Sequence, residues 1–176
     1  MGSLKRTVAL VGMMGAGKSS LGRRLAARLK VPFHDADTEI ETAAGCSINQ
    51  IFERYGDTAF RYCERKVIAR RLADPPHVLA TGGGAFLDDG IRAQILAGAL
   101  SVWIDVPLEV LVARVERRDT RPLLKNGNAR DVVSRLLEQR QGIYALADFT
   151  IAGADGPHGA SVRRILDALE QRNMLA

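Results

Sequence analysis

Short apolar runs alternate along the chain with longer stretches in which apolar residues recur every three or four positions. The short runs predict five strands. Four lie at residues 7–11, 78–81, 101–105 and 149–152, and residues 31–34 lead into a further short strand, the second along the chain. The longer stretches predict helices at residues 18–29, 48–52, 59–72 and 108–118, and in a final segment that begins near Ser161. Alternation of this kind predicts an α/β fold with a mostly parallel sheet.

The first and last helices have the clearest periodicity. Leu21, Leu25 and Leu29 recur every four residues in the first. Ser161 is a candidate N-cap of the last, whose apolar face is formed by Val162, Ile165, Leu166 and Leu169. By contrast, residues 118–131 are polar and charged and contain Asn126-Gly127-Asn128, which predicts a surface loop or a lid that closes on a ligand.

Length and composition indicate a soluble protein of one domain covering residues 1–176. Apolar residues make up 47% and charged residues 26% of the 176, and no run of apolar residues is long enough to span a membrane. The N-terminus lacks the features of a signal peptide. Cys46 and Cys63 form no Cys-x-x-Cys pair, so we expect free thiols in the cytoplasm and no metal bound by cysteine.

The net charge of +5 is compatible with two kinds of partner. One is nucleic acid, and the other is a small polyanion such as ATP with an anionic second substrate. Twenty acidic residues are spread through the chain, and aromatic residues make up only 5% of it. This composition argues against a stacking platform for single strands and favours small anions.

Gly12-Met13-Met14-Gly15-Ala16-Gly17-Lys18-Ser19 fits the phosphate-binding pattern G-x-x-x-x-G-K-[ST] between a strand and a helix. The glycines allow successive backbone N–H groups to face one point, and the following helix directs its positive end there. Lys18 would contact the β- and γ-phosphates, and the Ser19 hydroxyl would contact Mg²⁺. The motif alone does not separate kinases from GTPases, helicases or transport ATPases.

Asp35-Ala36-Asp37 follows the second strand, at the edge of the sheet where α/β folds bind ligands. If the strand continues, its two carboxylates share one face. One could then hold Mg²⁺ through water while the other accepts a hydroxyl proton. A solvated acidic turn or a helix cap explains the same pattern equally well.

Two further motifs could bind a ligand, but each, taken alone, also has an explanation that involves no ligand. Gly82, Gly83 and Gly84 end the third strand and would let a ligand approach the bare backbone, although a plain turn is the alternative. Arg121 stands beside Pro122 in the polar segment, where it could reach a transferring phosphoryl group or simply lie in water.

Two arginines in predicted helices are candidates for a carboxylate clamp. Arg61 lies early in one helix and Arg140 late in another, and two guanidinium groups can grip a carboxylate with parallel hydrogen bonds. A lone helical arginine is usually part of a solvated face.

Taken in order, these motifs resemble the shikimate kinase family over nearly the whole chain. The matching segments are 12–19, 35–37, 45–48 with 51–52, 60–61 with Glu64, 82–84, 121–124, and Arg140 with Tyr144. The resemblance implies a five-stranded parallel sheet flanked by helices, a three-layer fold related to nucleoside monophosphate kinases. It also implies a substrate-binding helical region at about 36–64, a mobile lid at about 118–131, and phosphoryl transfer from ATP to the 3-hydroxyl of shikimate in aromatic amino-acid biosynthesis.

The resemblance also assigns roles to individual residues. Shikimate would be held by Asp37, Arg61, Gly82, Gly83, Gly84 and Arg140. ATP would be contacted by Gly12, Gly15, Ala16, Gly17, Lys18, Ser19, Ser20, Arg114, Arg121 and Pro157. Ser19 and Asp35 would hold Mg²⁺, and Lys18, Asp37 and Arg121 would be catalytic. We expect a monomer that binds neither nucleic acid nor membranes.

One departure from the family pattern is Gly56-Asp57, where the family usually has Gly-Glu, and Tyr62 and Cys63 replace more polar residues.

Three rival functions remain open at this point. A gluconate kinase would share the phosphate loop but would not need Arg61, Arg140 and the glycine turn together. A nucleic-acid-binding ATPase would fit the basic charge, and a module without catalysis is disfavoured because Lys18, Asp37 and Arg121 are all present.

Overall fold

A five-stranded sheet forms the centre of the molecule. The computed structural model describes residues 4–117, 128–153 and 156–176. Its strands are β1 (Thr7–Val11), β2 (Phe33–Asp35), β3 (Val78–Ala80), β4 (Ala99–Asp105) and β5 (Phe149–Ala152). All neighbouring strands are parallel, in the order β2-β3-β1-β4-β5. The predicted α/β fold with a parallel sheet is therefore confirmed, although β4 begins two residues before the predicted strand.

Helices flank this sheet. They are α1 (Lys18–Leu29), α2 (Ala36–Ala44), α3 (Ile48–Leu72), α4 (Asp89–Gly98), α5 (Leu108–Glu116), α6 (Ala129–Tyr144) and α7 (Gly159–Gln171). The two helical segments predicted at 48–52 and 59–72 belong to α3, whose geometry is interrupted at Gly56 (φ 81°, ψ 178°). Such a left-handed φ is accessible to glycine at little cost, so the chain can bend there.

The predicted N-cap of the last helix is wrong. Helix α7 begins at Gly159, two residues before Ser161, and Ser161 is buried inside the helix. The predicted apolar face is largely confirmed, because Val162, Ile165 and Leu169 are buried. His158 occupies the N-cap position and makes no hydrogen bond from its side chain to the first turn.

The strand order decides which loops meet. All five residues of β1 are buried, and this strand lies between β3 and β4. Because parallel strands end at one edge of a sheet, the loops that follow β1 and β3 lie side by side there. The loop after β1 carries the phosphate-binding motif and the loop after β3 carries the three glycines. No helix within the described residues is both long and apolar enough to cross a membrane.

Candidate active site

The loop between β1 and α1 has the backbone conformation of a phosphate cradle. Gly12, Gly15 and Gly17 adopt φ of 138°, 77° and 86°, values that side-chain-bearing residues rarely reach. Ala16 is buried, and its N–H donates to Met13 at 3.2 Å, which closes the loop. Without a Cβ at these glycines, the loop can present its backbone N–H groups to an anion at the start of α1.

Lys18 begins α1 and folds back over the loop. Its Nζ donates to the carbonyl oxygens of Gly12 and Met13 at 2.7 and 2.8 Å. The ammonium group is thereby held beside the cradle, where the charge of a bound phosphate would be neutralised. Ser20, two residues on, is exposed on the outer side of the helix.

Ser19 and Asp35 come together beside the phosphate loop. The Ser19 hydroxyl donates to Asp35 Oδ2, and Asp35 Oδ1 accepts from the Thr38 N–H at 3.2 Å. A hydroxyl and a carboxylate next to a phosphate cradle are the hard oxygen ligands that Mg²⁺ prefers, with water and phosphate completing its shell. The residues present therefore fit this ion.

Asp37 is not on a strand, which corrects the argument from strand alternation. Asp35 is the last residue of β2 and also caps α2, so Asp37 falls in the first turn of that helix. The two carboxylates consequently have separate surroundings. Asp35 faces Ser19, whereas Asp37 lines a cavity next to the phosphate loop.

This cavity has a volume of about 860 Å³ and contains every predicted substrate-binding residue. Asp37 enters it from α2, Arg61 from α3 and Arg140 from α6, and the glycine turn forms one wall. Apolar side chains, among them Ile48, and further polar ones, among them Glu41, complete the lining. Residues that are far apart in sequence thus meet in one concave site that combines apolar and charged groups, as a site for a small polar molecule requires.

A side chain at each of the three glycines in the turn would meet a different neighbouring group. A Cβ on Gly82 would lie 2.7 Å from Asp37 Oδ1 and 3.0 Å from Glu64 Oε2, and one on Gly84 would collide with the Arg61 guanidinium. A Cβ on Gly83 would lie 3.1 Å from the backbone nitrogen of Met14 in the phosphate loop. The turn therefore packs directly between the cavity's charged groups and the phosphate cradle.

Arg61 is held in the cavity by two acids. Its Nη1 donates to Glu64 Oε1 at 2.6 Å, one turn along α3, and its Nε lies 3.7 Å from the exposed Asp57. The Asp57 carboxylate thus comes within ion-pair distance of Arg61 although an aspartate is shorter than a glutamate. Glu64 is fully buried, and within the described residues its Oε2 has no hydrogen-bond partner.

Burial raises the pKa of Glu64 to about 7, against the opposing attraction of Arg61. The neighbouring Asp37 and Asp88 raise it further. Glu64 belongs to the Phe60-Arg61-x-x-Glu64 motif, but the sequence analysis gave it no role in the site. Its position three residues after Arg61 on one helix could have indicated that the two side chains interact.

We expect Glu64→Gln to alter the pH dependence of stability. A carboxyl whose pKa rises from 4.5 to about 7 on folding stabilises the folded state below pH 4.5. That contribution is lost as the pH rises to about 7, because the unfolded chain ionises first. The free energy of unfolding of the wild type, relative to Glu64→Gln, should therefore fall by about 2 to 3 kcal/mol over this interval, at about 1.4 kcal/mol per pKa unit.

Urea denaturation at several pH values between 4 and 8 measures this difference. Glu138→Gln, which changes an exposed glutamate on α6, should run parallel to the wild type throughout. Parallel curves for Glu64→Gln and the wild type would show that Glu64 ionises normally.

Arg114 and His158 lie against the phosphate loop and do not line the cavity. Arg114 Nη1 donates to the Gly15 carbonyl at 3.2 Å, and a Cβ on Gly17 would lie 3.1 Å from the His158 ring. Burial, followed by the charges of Arg24 and Arg114, lowers the pKa of His158, which favours the neutral imidazole. Pro157, the residue predicted in this segment, is exposed. His158, to which the sequence analysis gave no role, is the one that contacts the phosphate loop.

Arg121 and most of the predicted lid lie outside the described residues, which resume at Asn128. Apart from the exposed Ser20 and Pro157, the remaining predicted residues fall into two adjoining groups. The phosphate loop gathers Ser19, Asp35 and Arg114, and the cavity gathers Asp37, Arg61, the glycine turn and Arg140. The contact between Gly83 and Met14 joins the two groups.

Comparison with known proteins gives a consistent result. The family model described as shikimate kinase matches residues 14–170. A shikimate kinase from Paramagnetospirillum magneticum is 53% identical over 168 residues, which cover 96% of this chain and 86% of the relative. A structure of shikimate kinase from Acinetobacter baumannii in complex with shikimate superposes with a TM-score of 0.91 at 34% identity, covering 95% of this chain and 94% of that one.

The rival small-molecule kinase is a more distant match. A gluconokinase structure from Sinorhizobium meliloti has a TM-score of 0.62 at 19% identity, with 96% of this chain and 94% of that one covered. This likeness extends to the fold alone. The matched family model and the close relatives establish that the chain belongs to the shikimate kinase family.

Proposed function

We propose that this protein transfers the γ-phosphoryl group of ATP to the 3-hydroxyl of shikimate, giving shikimate 3-phosphate and ADP. The observation that carries the proposal is the cavity in which Arg61, Arg140 and Asp37 converge next to the phosphate loop. It would accept a molecule with a carboxylate at one end and hydroxyl groups at the other. The Acinetobacter baumannii relative was solved with shikimate, a compound of this kind.

The contact between the two loops supports direct transfer between the two substrates. Gly83 packs against the backbone of Met14, so the wall of the acceptor cavity is also the flank of the phosphate cradle. A hydroxyl held at Asp37 would then face the terminal phosphate of ATP with no loop between them. Such positioning supplies much of the rate in phosphoryl transfer, because the transition state is loose and the enzyme contributes little covalent chemistry.

Individual residues would act as follows. Lys18 would neutralise charge on the β- and γ-phosphates, and Asp37 would orient the hydroxyl and accept its proton late in the reaction. Ser19 and Asp35 would hold Mg²⁺, which when bound offsets the negative charge of the phosphates. Arg114 beside Gly15 would contact the nucleotide at the outer end of the loop.

Three parts of the hypothesis rest on the sequence alone. Arg121 would meet the transferring phosphate from the lid, Pro157 would lie under the adenine, and the protein would be a cytoplasmic monomer. Of these residues, Pro157 lies next to His158 at the phosphate loop.

The direct test is ADP release in a coupled assay with shikimate and with a panel of hydroxy acids that includes gluconate. We expect shikimate to give the highest kcat/KM, because only a compact ring presents its carboxylate to both arginines while a hydroxyl reaches Asp37. Preferred turnover of gluconate would identify a sugar-acid kinase instead. Turnover of ATP without any acceptor preference would contradict both.

Arg61→Lys tests the carboxylate clamp. Lysine keeps the charge but cannot form two parallel hydrogen bonds to a carboxylate. We expect KM for shikimate to rise about 10- to 100-fold, the equivalent of the roughly 1.5 to 3 kcal/mol of a hydrogen bond to a charged group, while KM for ATP stays nearly unchanged. Steady-state kinetics with each substrate varied in turn gives both constants.

Arg65→Lys is the matched control, since Arg65 lies on the same helix and binds the Asp88 carboxylate at 2.5 Å but does not line the cavity. An analogue with an uncharged amide in place of the carboxylate should be a poor substrate for the wild type and much less sensitive to Arg61→Lys. Equal loss of affinity for ATP and shikimate would reduce Arg61 to a structural residue.

A further inference from the structure

Tyr144 is the largest fully buried side chain in the described part of the molecule. It is the last residue of α6, and its hydroxyl donates to the carbonyl oxygen of Gly83 at 2.5 Å. The other two tyrosines of the chain, Tyr55 and Tyr62, are 67% and 61% exposed. Tyr144 therefore differs from them in joining the end of a helix to the glycine turn.

Arg140 is the nearest charged neighbour of this hydroxyl along the helix. Arg140 precedes Tyr144 by four residues, so the two side chains lie on one face of α6. The Arg140 guanidinium, like that of Arg61, acts to lower the pKa of the phenol, against the larger effect of burial. One hydroxyl group thus donates to the glycine turn and lies beside the guanidinium of the clamp.

The two groups beside this hydroxyl, the Arg140 guanidinium and the Gly83 peptide, are otherwise easy to displace. Arg140 is a long, half-buried side chain with many rotamers, and holding it in one of them costs conformational entropy. The peptide units around Gly83 have glycine on both sides and are free to rotate. A hydrogen bond to the Gly83 carbonyl fixes its peptide plane, and with it the N–H of Gly84, which points the opposite way.

We propose that Tyr144 is a positioning residue of the acceptor site, whose hydroxyl fixes the Gly83 peptide and keeps the adjacent Arg140 guanidinium in the orientation that binds the substrate's carboxylate. This inference rests on the proposed function and adds a residue that acts on the substrate only through Arg140 and Gly83. Burial raises the pKa of the Tyr144 phenol, so it remains a protonated donor through the range in which a kinase works.

Tyr144→Phe removes the hydroxyl and keeps the buried ring. Because the two groups it holds would then sample other orientations, we expect KM for shikimate to rise about five- to tenfold. KM for ATP should stay within about twofold, since Lys18 and the glycines of the phosphate loop keep their own contacts. Calorimetric titration of shikimate should show the same loss of affinity in the absence of nucleotide.

Two controls separate positioning from simple loss of stability. Ser101→Ala also removes a buried hydroxyl that donates a hydrogen bond, to Asp148 at 2.7 Å, but near the amino end of β4, away from the cavity. It should lower the thermal midpoint and leave KM for shikimate unchanged. Tyr62→Phe, on an exposed tyrosine, should change neither quantity.

A double-mutant cycle tests the route through the clamp. If Tyr144 acts by holding Arg140, its hydroxyl has less to contribute once Arg140 is lysine. The variant with both Tyr144→Phe and Arg140→Lys should therefore raise KM for shikimate by less than the product of the two single fold-increases. The amide analogue of shikimate should likewise reduce the effect of Tyr144→Phe.

The proposal is overturned if Tyr144→Phe keeps a wild-type KM for shikimate, if it raises both KM values equally, or if the two losses multiply fully. Each of these results presupposes a wild type that phosphorylates shikimate. Failure of the wild type to do so would instead overturn the proposed function, so the two failures are distinguishable.

Discussion

Lys18→Met is expected to lower kcat by about a thousandfold or more while the protein remains folded. Removal of one preorganised charge or donor at developing negative charge commonly costs two to three orders of magnitude, and Lys18 would face two phosphates. Methionine is an unbranched side chain that fits the narrow space along the loop, where Lys18 is only 8% exposed. The loss should therefore come from the missing charge and not from a cavity.

The structure indicates what the lysine gives up on binding. Its Nζ donates to two carbonyl oxygens of the loop, Gly12 and Met13, and these bonds must loosen if the ammonium group is to reach phosphate oxygens. Lys18→Met removes these bonds too, so thermal unfolding should be measured beside kcat. A drop in kcat with a nearly unchanged thermal midpoint is the expected pattern.

Lys66→Met is the control for loss of a positive charge. Lys66 is exposed on α3, with its ammonium group 5.3 Å from the Tyr62 ring, and takes no part in the phosphate loop. It should turn over at the wild-type rate. Near-normal turnover of Lys18→Met would mean that this loop is not used for phosphoryl transfer.

The sheet and the phosphate loop could be predicted because their signals are local. Apart from β2, which is Phe33-His34-Asp35, the strands are short, largely apolar runs, and β1, β5 and α1 have the predicted bounds. In the phosphate loop the required glycines, lysine and hydroxyl are contiguous in sequence, so the pattern contains the whole geometry.

Helix α2 could not be predicted from periodicity. Helix α2 has the sequence Ala-Asp-Thr-Glu-Ile-Glu-Thr-Ala-Ala and buries only Ala36 and Ile40, too few apolar positions to reveal a period. Its bounds are set by the Asp35 cap and by Gly45 in the left-handed region at its end. The cap explanation of the Asp35-Ala36-Asp37 pattern was therefore right in part, and Asp37 is placed by a helix.

The roles of Glu64 and Tyr144 depend on partners that are distant in sequence. The hydroxyl of Tyr144 reaches the carbonyl of Gly83, a main-chain atom that no sequence pattern identifies. The raised pKa of Glu64 arises from burial under α2 and the glycine turn, which only the fold produces. Tertiary packing, and not the motif, gives these two residues their properties.

Asp37→Asn is expected to lower kcat by about 100- to 10,000-fold, the usual contribution of a positioned proton acceptor. Asparagine has nearly the same shape and can still orient a hydroxyl, but it cannot take up the proton that leaves as the phosphoryl group arrives. KM for shikimate should therefore change much less than kcat. In the structure Asp37 Oδ1 faces Gly82 beside the buried Glu64, so loss of one of two neighbouring acids should not destabilise the fold.

Asp89→Asn is the matched control, because Asp89 also lies in the first turn of a helix, α4, but is 93% exposed and paired with Arg92. The control shares any effect of removing a negative charge from a helix N-terminus, which is worth only a few tenths to about 1 kcal/mol at an exposed site. Single-turnover measurements with ATP and shikimate saturating compare the chemical step directly. If Asp37→Asn instead raised KM for shikimate and left the single-turnover rate intact, Asp37 would bind the acceptor without taking its proton, and positioning alone would account for the transfer.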